Sequence, residues 1–156
     1  MRDQEHSKRS EDDARFVKIA FRLPDPEDGF PPADVETMWA RPLEDGTFAV
    51  ENTPFFFSGI GFGDVVRTVE IDGIRWFTEI VKPSGHGTIR IVMQREEEQS
   101  RIVQIVRDLG FSIEVSHIPT YFAIDVCGDN IARLLTVLRT AHEAEDLDFD
   151  EGCKTW

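Results

Sequence analysis

Hydrophobic and polar positions change period partway along the chain. In "FVKIAFRL" (16–23), Val17, Ile19, Phe21 and Leu23 alternate with Lys18, Ala20 and Arg22, which predicts a strand with one buried face. The Pro- and Gly-rich "PDPEDGFPPAD" (24–34) predicts irregular structure. "VETMWARP" and "TFAVEN" flank "LEDG", a hairpin turning at Asp45-Gly46, and "DVVRTVE" and "IRWFTEIVK" flank "IDG", a second one turning at Asp72-Gly73. "PSGHG" (83–87) is a further turn, leading into "TIRIVM" (88–93). Short strands with turns this close together predict a small barrel or a strongly bent sheet.

Beyond Thr88 the period becomes mixed. "EEEQSRIVQIVRDLG" places Ile102, Ile105, Val106 and Leu109 on one helical face, with Glu96–Glu98 in the first turn and Gly110 as the stop. "FSIEVSH" and "YFAIDVC" alternate on either side of "IPT". Asp129 is placed to cap a second helix with the stripe Ile131, Leu134, Leu135 and Leu138, and "LDFD" (147–150) reads as a last strand. The order β-α-β-β-α-β predicts a ferredoxin-like split motif. The fold class is therefore α+β. A charged arm (1–15) precedes a β-rich, barrel-like half (16–90) and a ferredoxin-like half (88–152), with a short tail (153–156). "TIRIVM" is shared between the halves.

Composition narrows the class of partner. Thirty acidic residues against seventeen basic ones give a net charge of −13. Such a surface repels phosphate backbones, which excludes ordinary nucleic-acid binding and favours a basic protein partner. The arm "MRDQEHSKRSEDDAR" lacks an apolar signal core and is too acidic for a transit peptide, and no run approaches a membrane span. Cys127 and Cys153 are far apart and form no C-x-x-C pair. These features predict a cytoplasmic protein with reduced thiols.

Candidate chemistry is sparse. "GIGFGD" lacks the Lys-Ser/Thr of a phosphate loop, and a strand pattern follows it where a dinucleotide site needs a helix. Gly59, Gly61 and Gly63 therefore read as a bend or bulge entering a strand. Phe55–Phe57 are expected to pack under it, each buried ring contributing about 2 kcal/mol. "DLDFDEG" (146–152) puts glycine at the wrong position for a calcium loop and reads as an acidic edge strand. His117 and Cys127 belong to the two strands of one hairpin, roughly 15 Å apart along it, and occupy opposite faces. His117 reads as a partly buried structural histidine and Cys127 as a small semi-buried filler. The four histidines, at 6, 86, 117 and 142, have no metal-ligand spacing. His86, in a glycine-flanked turn with Ser84 before it and Arg90 after, is the polar residue that most invites a function.

The second face of the ferredoxin-like sheet would carry Thr88, Arg90 and Val92 on one strand, and Tyr121, Ala123, Asp125 and Cys127 on another. With one aromatic it is no stacking platform for RNA. Glu114, Asp148 and Asp150 join Asp125 there and make the face acidic. The alternatives are a plain solvated sheet or one covered by the barrel half.

The stretches "VKIAFRLP", "DGFPPADVETMWARPLEDGTFAVENTPFF", "GIGFGDVV" and "WFTEIVKPSGHGTIRIV" resemble a family of bacterial proteins classed only as a domain of unknown function, in which a Gly-Asp-Val strand start and a Pro-Ser-Gly-His turn recur. The resemblance runs from about Val17 to the last strand. It implies a bacterial source and draws interest to Asp64, Ser84, Gly85, His86 and Arg90, without implying an activity.

The expectation is a non-enzymatic, cytoplasmic protein-binding module. It meets a basic partner through Glu114, Asp125, Asp148 and Asp150, in the manner of a bacterial immunity or antitoxin protein. It needs no cofactor, metal, nucleic acid or membrane. The alternative is a small-molecule-binding regulator or enzyme with a site at the junction of the halves, built from Asp64, Ser84, His86 and Arg90.

Overall fold

Residues 16–156 are described by a computed structural model, and the predicted arm, with His6, lies outside them. The chain forms two units. One comprises residues 16–52 with Gly63–Pro83, and the other Thr53–Phe62 with Ser84–Trp156.

The first unit is a closed barrel of β1 (Val17–Arg22), β2 (Val35–Pro42), β3 (Phe48–Val50), β4 (Val65–Ile71) and β5 (Ile74–Lys82). Neighbours run antiparallel, and β1 closes the ring against β5 in parallel, with Ala20 opposite Trp76. Alternation places most of the core as expected, although Ala20, read as facing away from it, is also buried. Ile19, Phe21, Met38, Ala40 and Val50 are buried, and Phe21 stacks on Phe77 with ring centroids 5.0 Å apart. Both predicted hairpin turns form. Asp72 and Gly73 have φ of 52° and 78°, the left-handed pair that a tight two-residue turn requires.

The second unit is a four-stranded sheet in the order β7-β8-β6-β9: β7 (Ser112–Val115), β8 (Tyr121–Val126), β6 (Gly87–Met93) and β9 (Leu147–Cys153). All neighbours are antiparallel. Here β6 pairs with β8 and β9, so the strand expected to be shared belongs to this sheet. Helices α1 (Gln99–Asp108) and α2 (Ile131–Glu143) supply Ile102, Val106, Leu134, Leu135 and Leu138 to a core with Ile89, Ile91, Phe122 and Ile124. The acids Glu96–Glu98 form a separate short 3-10 turn ahead of α1. Asp129 does not cap α2. The helix starts at Ile131, so Asn130 holds the cap position, and its side-chain amide instead donates to the Leu109 carbonyl at 2.8 Å. The last strand extends to Cys153, and Trp156 beyond it packs against the core. No helix among the described residues is long and apolar enough to cross a membrane.

Candidate functional site

The helices cover one face of the four-stranded sheet. On the other, period-two alternation brings together Thr88, Arg90, Tyr121, Ala123, Asp125, Glu114, Asp148 and Asp150. The centre of this face is not open. Thr88, Arg90, Tyr121 and Ala123 are buried, because Thr53–Phe62 of the same unit lies across them as a strap. The Tyr121 hydroxyl donates to the Phe55 carbonyl, and the Phe56 ring stacks on Tyr121 at 5.5 Å. The Thr88 hydroxyl donates to the Ile60 carbonyl at 3.3 Å, and the Gly59 amide donates to the Gly152 carbonyl at 2.8 Å. Phe55 and Phe56 therefore pack on Tyr121 of the sheet, and Gly59 and Ile60 stay bonded to it.

Arg90 fastens the strap. Its guanidinium holds Asp150 in a two-point contact at 2.7 and 2.9 Å, donates to the Phe56 carbonyl at 2.7 Å and reaches the Ser58 hydroxyl at 3.2 Å. A buried planar cation needs such a set of acceptors. Gly152 leaves it room, since a Cβ there would come within 3.1 Å of Arg90 Nε. Arg90 is thus spent on structure.

The four acids all have partners. Glu114 accepts from the Thr53 amide at 3.2 Å, Asp125 meets His86, and Asp150 holds Arg90. Asp148 accepts from Gln94 at 2.8 Å and lies 3.0 Å from His142. Asp148 and Asp150 nonetheless leave 58% of their side-chain surface in water, against 15% for Asp125.

His86 stands on a turn fixed from several sides. The Ser84 hydroxyl donates to the Phe62 carbonyl at 2.6 Å and accepts from the His86 amide at 3.1 Å. Thr155 donates to the Gly85 carbonyl at 3.1 Å. Gly61 presses so closely on the turn that a Cβ would sit 2.0 Å from the His86 carbonyl oxygen. From this base the His86 ring places Nδ1 2.7 Å from Asp125 Oδ1, with the Phe62 ring at 5.7 Å. The Ser84 hydroxyl thus faces the His86 backbone amide and commits its proton to the Phe62 carbonyl.

Cys127 completes this cluster. One ligating atom from each of His86, Asp125 and Cys127 lies within 4.8 Å of the others. Cys127 is exposed, unlike the semi-buried filler expected, because it lies just past the end of β8, ahead of Gly128. Partial desolvation of its sulfur pushes the thiol pKa up, and the Asp125 carboxylate adds to the shift. His117 is also exposed. Asp64 is buried in the first unit, so among the residues of the alternative ligand site only Ser84, His86 and Arg90 share a unit.

The same outline occurs in a solved structure. A hypothetical protein from Neisseria gonorrhoeae superposes with a TM-score of 0.75 over 88% of this chain and 94% of its own, at 20% sequence identity, which speaks for a common fold. No functionally curated protein matches the chain. The family model described as domain of unknown function DUF4265 matches residues 36–148, which span the strands β2–β8, both helices and the His86 turn. The chain belongs to the DUF4265 family.

Proposed function

We propose that this chain is a non-enzymatic binding protein that recognises a basic protein partner, with an immunity- or antitoxin-type inhibitor as one form of that role. Charge carries the reading: −13 overall, with Asp148 and Asp150 both largely exposed on β9, an edge of the second unit's sheet. A charge of this size accelerates encounter with a positive partner and makes binding salt-dependent. The second unit, read as a ferredoxin-like split β-α-β sheet, would present these acids from a rigid strand.

Capture by the tagged chain from a bacterial extract at low salt tests the reading, run in parallel with Asp148→Lys. That reversal leaves the Arg90, His86 and Glu114 contacts in place. The expected result is a stoichiometric basic protein, released by raising salt to about 0.5 M and bound more slowly by the variant. A partner retained at high salt and bound equally by Asp148→Lys would contradict it.

A second reading, a small-molecule-binding regulator or enzyme using His86, is favoured by one observation. The His86–Asp125 contact is held on a turn braced by Ser84, Gly61 and Thr155. Thermal-shift screening of metabolites against the native chain and His86→Ala tests it. A ligand that stabilises only the native chain would support it, and equal responses would remove it.

A further inference from the structure

The geometry points to His86, Asp125 and Cys127 as a binding site for a divalent transition-metal ion of the zinc type, with an open coordination position. The site is independent of the protein-binding reading. An imidazole, a carboxylate and a thiolate are the three side-chain types that zinc takes, and the borderline imidazole and soft thiolate beside the hard carboxylate select against magnesium and calcium.

Two arrangements could explain the cluster, a metal site and a Cys-His-Asp catalytic relay. In a relay the carboxylate and the sulfur lie on opposite sides of the imidazole, roughly 7 Å apart once both hydrogen bonds and the ring are spanned. Here the sulfur lies within 4.8 Å of the Asp125 carboxylate as well as of the ring. The donors converge on one region instead of standing in line. A thiol beside a carboxylate is also poorly placed to become a free nucleophile.

Tetrahedral zinc needs its ligand atoms about 3.3–3.8 Å apart, given bonds near 2.0–2.3 Å. The cluster brackets that range, from the 2.7 Å His86–Asp125 contact to an upper limit of 4.8 Å. Side-chain adjustments of about 1 Å or less therefore suffice. The bracing of the His86 turn fixes one ligand in advance, and the exposed Cys127 gives the ion a way in from solvent. With three protein ligands, the fourth position is left to water or a small anionic ligand.

Cobalt(II) chloride titrated into the full chain under reducing conditions tests the site. The expected spectrum shows tetrahedral visible bands and a thiolate-to-cobalt charge-transfer band at one ion per chain, both abolished by zinc chloride. Cys127→Ser changes an exposed residue and should fold. It should lose the charge-transfer band and weaken zinc binding by about 100-fold, while Cys153→Ser should bind like the native chain. His86→Gln should lower the affinity similarly. An octahedral spectrum without charge transfer, binding unaffected by Cys127→Ser, or no cobalt binding would each overturn the assignment.

Discussion

At the scale of single residues, the polar groups that matter are those the fold leaves no choice about. Arg90 is 9% exposed and cationic, so the loss of Asp150 would leave a buried charge with fewer acceptors. Asp150→Ala should destabilise the protein by about 2 kcal/mol in urea unfolding, whereas Asp148→Ala, which serves only half-exposed partners, should change it by under about 0.5 kcal/mol. Equal effects would mean that Arg90 does not depend on Asp150. Gly61 is the steric counterpart. Gly61→Ala drives a methyl into the His86 carbonyl and should cost about 1–3 kcal/mol, whereas alanine at Gly29 meets no atom within 4 Å and pays only for its positive φ. His86 and Arg90 stood out in the sequence, and Asp125 and Asp150 were assigned to one sheet face, but which acid meets which base was not legible. Asp125 is 39 positions from His86 and Asp150 is 60 from Arg90, and no local period links residues so separated. Cys127's place in a hairpin was legible, but its exposure past the end of β8 and its neighbour His86, just ahead of β6, were not.

Among the elements, hairpins were the most legible, because Asp-Gly turns and two-residue alternation are local signals. The Asp45 turn also carries a pH signature. The Thr47 hydroxyl and amide both donate to the Asp45 carboxylate and hold its pKa below the ordinary carboxylate range. A depressed folded-state value means that this stabilisation is complete above the ordinary carboxylate pKa and lost as pH falls through the depressed one. In urea melts from about pH 6 to about pH 2.5, Asp45→Asn should therefore lose less stability than the native chain. Parallel curves would contradict that. The strap was the least legible element. "ENTPFFFSGIGFG" has neither helical nor strand periodicity, and its structure comes from what it covers. Tyr121→Phe removes the hydroxyl that meets the Phe55 carbonyl and should destabilise by about 1 kcal/mol, with the loss concentrated in the strap's hydrogen-exchange protection. A uniform loss across the sheet would instead assign Tyr121 to the core.

For the whole molecule, composition predicted charge correctly but not its distribution over the surface. The period-two pattern did assign Glu114, Asp125, Asp148 and Asp150 to one face. It could not show that the middle of that face is occupied by the chain's own strap, which leaves the acids of β9 as the ones most open to a partner. A net charge of −13 also works against folding, so the thermal midpoint should rise as salt increases from about 20 to about 300 mM. The covered sheet face and the braced His86 turn rest on the strap being seated, because it fastens to Arg90 at one point and backs His86 at another. Amide hydrogen exchange on the full chain tests this most directly. The amides of Thr53 and Gly59, which donate to Glu114 and Gly152, should exchange at least about 100-fold more slowly than free peptide. Exchange at the free-peptide rate at both would mean that the strap is not seated and the sheet face is open.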